Sequence, residues 1–272
     1  MRENVFYDLA KDKVLIVSHR GTSGGNIIQN HMLAFKNALF LGADIIEMDV
    51  ILSKDKKLYV FHQDQEKQIL HLDQDICSLT SKQIDELELY NWIGLESGYH
   101  INTLDEILDT FSDNYINIDR AWRCWPEIID CLNKHHNPKI LLKSHVKKEL
   151  LDYLQENGSD IPYMALIENK EELDIVLKYD INLVAVELLF NDYNSEVISK
   201  EMFDYYKEKK LLTFVNAEKL SRNDRHILSC DLNDNKAIEV GFESVYGKLV
   251  DMGFNMIQTD WVCLLKHYLD NR

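Results

Sequence analysis

Residues 44–62 read DIIEMDVILSKDKKLYVFH, and how they fold decides the architecture. An apolar run at 44–50 is followed by another at 58–61, with only ILSKDKK (51–57) between them. Parallel neighbours need a crossover of about a dozen residues or more, so this linker permits only an antiparallel hairpin. The hairpin rises above the sheet edge and returns His62 to the rim from which it left. Elsewhere apolar runs alternate with helical patterns. Strands are expected at 14–18, 115–118, 140–142, 163–167, 183–186, 211–215 and 255–258. Helices are expected at 30–41, 126–134, 147–156, 170–178, 200–209, 243–251 and 263–269. Alternation of this kind predicts a parallel sheet with helices outside it. Nine apolar runs, less the returning arm of the hairpin, leave the eight strands of an α/β (β/α)8 TIM barrel. Two polar stretches break the pattern. Residues 63–101 read as a small insertion on the catalytic side, with a short helix at 81–89 capped by Ser81. Residues 218–239 read as a second insertion at the rim.

The composition bounds the function. The chain has 272 residues, 46% of them hydrophobic, enough for a sizeable core and a single barrel domain over 1–272. The net charge of −16 speaks against nucleic acid and anionic membranes as partners and for a small-molecule substrate. Five cysteines without C-x-x-C spacing point to a reducing compartment. The first residues lack the apolar core of a signal peptide, and no apolar stretch reaches membrane-spanning length. A cytoplasmic location is therefore expected. Nothing in the sequence reports the oligomeric state.

Barrel active sites gather at the carboxyl ends of the strands. There the chain places His19, Arg20, Glu47, Asp49, His62 and Asp119. Residues i and i+2 of a strand share a face, so Glu47 and Asp49 point together. Two carboxylates held that close repel unless a cation lies between them. Their hard oxygens suit Mg²⁺ or Ca²⁺, and Asp119 can supply a third ligand. Arg20 offers a planar fork for phosphate oxygens. His19 and His62 titrate near neutral pH and suit an acid–base pair.

These residues resemble the glycerophosphodiester phosphodiesterase family. The match runs through HRG at 19–21, GADIIEMDV at 42–50 and VFHQD at 60–64. It continues more loosely through SLTSKQIDEL at 78–87, NTLDEIL at 102–108, INID at 116–119 and MIQTD at 256–260. The resemblance implies a (β/α)8 barrel with a small insertion. It also implies metal-dependent hydrolysis of glycerophosphodiesters to glycerol phosphate and an alcohol. By the same resemblance His19 and His62 are the acid–base pair, Arg20 contacts phosphate, and Glu47, Asp49 and Asp119 hold the metal. The glycerol 2-hydroxyl would attack phosphorus, giving a cyclic phosphate that water opens.

The chain departs from the family pattern at three places. Ile28-Gln29-Asn30-His31 stands where the family has P-E-N-T. Asp119 replaces a usual Glu, and Ala121 stands where the family often has Lys. Lys143, at the end of the ILLK run, can supply the missing cation toward substrate, and Trp122 can wall the pocket. The departures keep two alternatives open: a catalytically silent barrel that binds glycerophosphodiesters, and a phosphodiesterase for an inositol-type headgroup.

Overall fold

The computed structural model describes residues 2, 4–219 and 228–272. Of the rim insertion expected at 218–239, residues 220–227 lie outside the described residues. The strands are β1 (Leu15–Ser18), β2 (Ile45–Leu52), β3 (Leu58–Val60), β4 (Glu88–Tyr90), β5 (Glu96–His100), β6 (Tyr115–Asp119), β7 (Ile140–His145), β8 (Tyr163–Ile167), β9 (Leu183–Leu188), β10 (Leu212–Asn216) and β11 (Met256–Thr259). Among the described residues, β1, β2 and β6 to β11 pair in parallel, and β1 bonds both β2 and β11 to close the ring. The barrel is thus eight-stranded. β3 pairs antiparallel with β2, Val50 facing Val60, as the short linker demands.

The insertion differs from the expectation in detail. Its helix covers Ser81–Asp85, and Thr80 rather than Ser81 is the cap. Thr80 and Gln83 form a reciprocal capping box, each side chain bonding the other's backbone N–H. Residues 88–90 belong to β4, which forms a hairpin with β5. The apolar side chains of the insertion and of the β2–β3 hairpin, among them Tyr59, Phe61, Ile76 and Ile84, form a core of their own above the barrel.

The inside of the barrel is layered. At the amino-terminal end Leu15, Val17, Ile45, Leu141, Met164, Leu212, Phe214 and Met256 form an apolar floor. Helix Val5–Leu9, which the sequence did not announce, joins that floor through Phe6, which is fully buried and meets Tyr115 edge-on at 5.1 Å. Above the floor, two residues further along β2, β6, β7, β9, β10 and β11, stand the buried polar side chains Glu47, Asn117, Lys143, Glu187, Asn216 and Gln258. Among the described residues, no helix is long and apolar enough to cross a membrane. Truncating Phe6 to Ala leaves a void under a layer that cannot collapse; we expect a loss of about 3–5 kcal/mol in urea unfolding. A loss under about 1 kcal/mol would show that the amino-terminal helix is not part of the core.

Candidate active site

Register brings the acidic residues together. β2 and β6 pair with Glu47 beside Asn117 and Asp49 beside Asp119. Glu47, Asp49 and Asp119 each offer an oxygen within 4.8 Å of the others. The first and third strands of the site end alike. Arg20 and Arg120 both leave their strands with left-handed backbones, φ 53° and 54°. The turn after Arg20 needs glycine, because a Cβ on Gly21 (φ 74°) would lie 2.7 Å from the carbonyl carbon of Ala34.

Each carboxylate has its own surroundings. Glu47 accepts from the Arg20 backbone N–H at 2.7 Å through Oε2, while its buried Oε1 has no partner. Burial and the neighbouring Asp49 push the Glu47 carboxyl up to about 8, with Asp119 adding to the effect and His19 and Lys143 opposing it. Asp49 is also buried, but Arg20, His62 and Asn30 outweigh burial and hold it below its usual range. Arg20 Nε lies 3.0 Å from Asp49 Oδ2, and Arg120 Nε lies 3.7 Å from Oδ1. Asn30 clamps Asp49, donating to its carboxylate at 2.8 Å and accepting from its backbone N–H at 3.1 Å. Asp119 accepts from the Arg120 backbone N–H at 2.6 Å and pairs with Lys143 Nζ at 2.9 Å.

Lys143 is buried between Asp119 and Glu187, whose oxygen is 3.0 Å away. Burial disfavours its charge, but Asp119, Glu187 and Glu47 overcome this and hold it protonated. Its charge is therefore spent within the protein. Trp122 sits half-buried beside the site, edge-on to His145 at 5.2 Å. It lines a cavity of about 310 Å³ with Val50, Phe61, Gln63, Arg120 and Arg123.

The two histidines differ. His19 Nδ1 lies 2.8 Å from Asp260 Oδ1. Burial alone would lower this imidazole, but Asp260, Glu218 and Glu47 raise it to about 9. Asp260 is held in turn by Asp234, which accepts its backbone N–H at 2.9 Å and the Thr259 hydroxyl at 2.8 Å. Burial lowers His62, assisted by Arg20 and Arg120 and opposed by Asp49. Its buried Nδ1 has no hydrogen-bond partner.

The donor set fits a divalent cation. Counted as ionised, Glu47, Asp49, Asp119, Glu187, Glu218, Asp234 and Asp260 outnumber Arg20, Arg120, Lys143 and a protonated His19 by three. The unpartnered Glu47 Oε1 and the raised Glu47 carboxyl locate that surplus beside Asp49 and Asp119. Oxygen donors of this kind suit a hard ion.

The model of the "Glycerophosphoryl diester phosphodiesterase family" matches residues 19–227. The chain belongs to this family. A glycerophosphodiester phosphodiesterase of Bacillus subtilis is 26% identical over 60% of this chain and 62% of its own length. One from Caldanaerobacter subterraneus is 34% identical over 39% of this chain and 45% of its own length, so these matches span about half of the relatives' lengths. A human relative named lysophospholipase D GDPD1 is 22% identical over 94% of this chain and 86% of its own. The fold is shared with a Parabacteroides distasonis glycerophosphoryl diester phosphodiesterase (TM-score 0.78, 18% identity, 100% of this chain and 93% of that one). It is shared as well with an Oleispira antarctica phosphodiesterase solved with its product sn-glycerol-3-phosphate (TM-score 0.66, 17% identity, 96% and 99%).

Sequence reasoning missed several members of the site. Asp260 follows the last strand, as Asp119 ends β6, and the strand-end rule applied there would have found it. Asn30 lay within the IQNH departure, and Arg120 follows Asp119 as Arg20 follows His19. Glu187 sits in β9 two residues beyond Ala185, where an apolar floor residue gives way to the polar layer.

Two predictions follow from this geometry. Asp260→Asn removes the charge that holds the His19 proton, so the alkaline limb of the kcat/KM profile, expected near 9, moves to lower pH. An unmoved limb would detach His19 from that limb. Lys143→Met leaves Asp119 and Glu187 unpaired in the barrel, and unfolding by urea should show a loss of about 3–5 kcal/mol.

Proposed function

We propose that this protein hydrolyses glycerophosphodiesters to glycerol phosphate and an alcohol. In this reading a divalent cation, Mg²⁺ or Ca²⁺, is held by Glu47, Asp49 and Asp119. The observation that carries the reading is the convergence of three carboxylates within 4.8 Å on a rim that also carries His19, His62 and Arg20. The product-bound Oleispira relative supports glycerol phosphate as the product class. The bound cation supplies positive charge for the phosphoryl oxygens and for the charge that develops on them.

The chain's own residues do the rest. Arg20 is largely spent on Asp49, while the Arg120 side chain is 43% exposed and faces incoming phosphate as the freer guanidinium. His62, kept neutral by burial, takes the proton of the attacking glycerol 2-hydroxyl. The new P–O bond forms a five-membered cyclic phosphate as the bond to the alcohol breaks. His19, with Asp260 on Nδ1, gives the leaving alcohol its proton from Nε2. Water then opens the ring with the two histidines in exchanged roles.

The test is release of glycerol phosphate from glycerophosphocholine by the purified protein. Chelation should abolish it, and added Mg²⁺ or Ca²⁺ should restore it. His19→Ala and His62→Ala should each lower kcat about 10²–10⁴-fold with the fold intact by circular dichroism. Full turnover in excess chelator would remove the metal from the mechanism. Binding of the diester without product would make this a silent barrel.

A further inference from the structure

A second group of ligating side chains lies in the outer helix layer, away from the barrel mouth. Helix Trp125–His135 carries Cys131 and His135, four residues apart and therefore on one face. Helix Leu104–Thr110 carries Asp105 and Asp109 with the same spacing. The two pairs meet. His135 Nε2 is 3.1 Å and Cys131 Sγ 3.5 Å from Asp105 Oδ1, and the three residues each offer a ligand atom within 4.8 Å of the others.

The 3.5 Å separation equals the edge of a coordination tetrahedron, and the 3.1 Å separation is a few tenths of an ångström short of one. Zinc bonds of about 2.0–2.3 Å to nitrogen, oxygen and sulfur set the ligand atoms roughly 3.3–3.7 Å apart. His135 Nδ1 points toward Asp109, whose Oδ1 is 3.9 Å away. Drawn in to hydrogen-bond distance, an outer carboxylate on that side would fix the imidazole tautomer and leave Nε2 for the cation. Cys131 is buried while the Asp105 side chain is 76% exposed, so the group has a solvent entrance and a protein floor.

We propose that Asp105, Cys131 and His135 form a peripheral site for a borderline-soft divalent metal ion, Zn²⁺ above Mg²⁺ or Ca²⁺. Water completes the tetrahedron, and Asp109 orients His135. The donor chemistry sets the preference, because thiolate and imidazole suit zinc whereas hard cations take oxygen. On binding, the Cys131 S–H bond breaks, its proton leaves to solvent and the sulfur lone pair bonds the ion. The site would clip together the helices that lead into and out of β6, the strand that carries Asn117 and Asp119. Its role is structural, and it differs in hardness from the carboxylate cluster at the rim.

Cobalt reports both geometry and sulfur. The full chain, stripped with chelator and then saturated with Mg²⁺, is titrated with Co²⁺ and followed by absorption. We expect one Co²⁺ per chain with a sulfur-to-metal charge-transfer band in the near ultraviolet and tetrahedral bands in the visible, bleached by Zn²⁺. Cys131→Ser should remove the charge-transfer band. His135→Gln, at a partly exposed helix end that does not endanger the core, should weaken binding about tenfold or more. Cys263→Ser, an exposed thiol elsewhere, should leave the spectrum unchanged, as should Asp49→Asn at the rim. The absence of a sulfur band in the unmutated protein, or its persistence in Cys131→Ser, would overturn the proposal.

Discussion

Asp49 and Asp119 are rung partners on adjacent parallel strands, so the barrel itself holds two like charges side by side. At about 4 Å and an effective dielectric near 20, such a pair repels by about 4 kcal/mol. Much of the polar structure around the mouth answers that repulsion. Asn30 and Arg20 bind Asp49 from one side, and Lys143 binds Asp119 from the other. Glu47 stands on the same face, and its buried Oε1 is left without a partner. The protein has offset most of the negative charge but not all of it, and the remainder is what makes the cluster suitable for a divalent ion.

Lys143 is the buried cation in this balance. The family often carries a lysine two residues after the third carboxylate, a position occupied here by the buried Ala121. β7 pairs with β6 so that Leu142 lies beside Ile118, which sets Lys143 level with Asp119. The cation thus reaches the same carboxylate from the next strand. The register of two strands pairs Asp119 with a buried positive charge at that height in the barrel.

The fold was largely legible because its signals are local. A linker of 51–57 cannot cross over, so the β2–β3 hairpin and the count of eight strands follow from chain length and hydrophobic runs. The E-x-D spacing in β2 gave the shared face of Glu47 and Asp49 for the same reason. The parts that escaped depend on partners distant in sequence. Helix Val5–Leu9 is too short to signal itself, and only its contact with the barrel floor explains Phe6. β4 is only three residues long and the buried position of β5 is Ser97 rather than an apolar side chain, so neither strand carries an apolar alternation, and residues 88–89 fell within the helix expected at 81–89. Asp260 stands at a strand end like the others, but its pairing with His19 follows only from closure of the barrel by β1 and β11.

The two arginines after β1 and β6 show what backbone shape contributes. A left-handed conformation costs a non-glycine residue about 1–2 kcal/mol, and the chain accepts it at both strand ends. At each, the turn aims a backbone N–H at a carboxylate: Arg20 at Glu47 and Arg120 at Asp119. Both guanidinium groups then reach Asp49 from their own strand ends. The strained turns therefore fix the acidic cluster through main-chain donors, which cannot titrate. That leaves the arginine side chains to adjust the local charge. In a chain of net charge −16, the two arginines place positive charge at the mouth beside the acidic cluster. The arginines offset part of the charge on Asp49, while the unpartnered Glu47 oxygen beside Asp49 and Asp119 keeps a place suited to a cation.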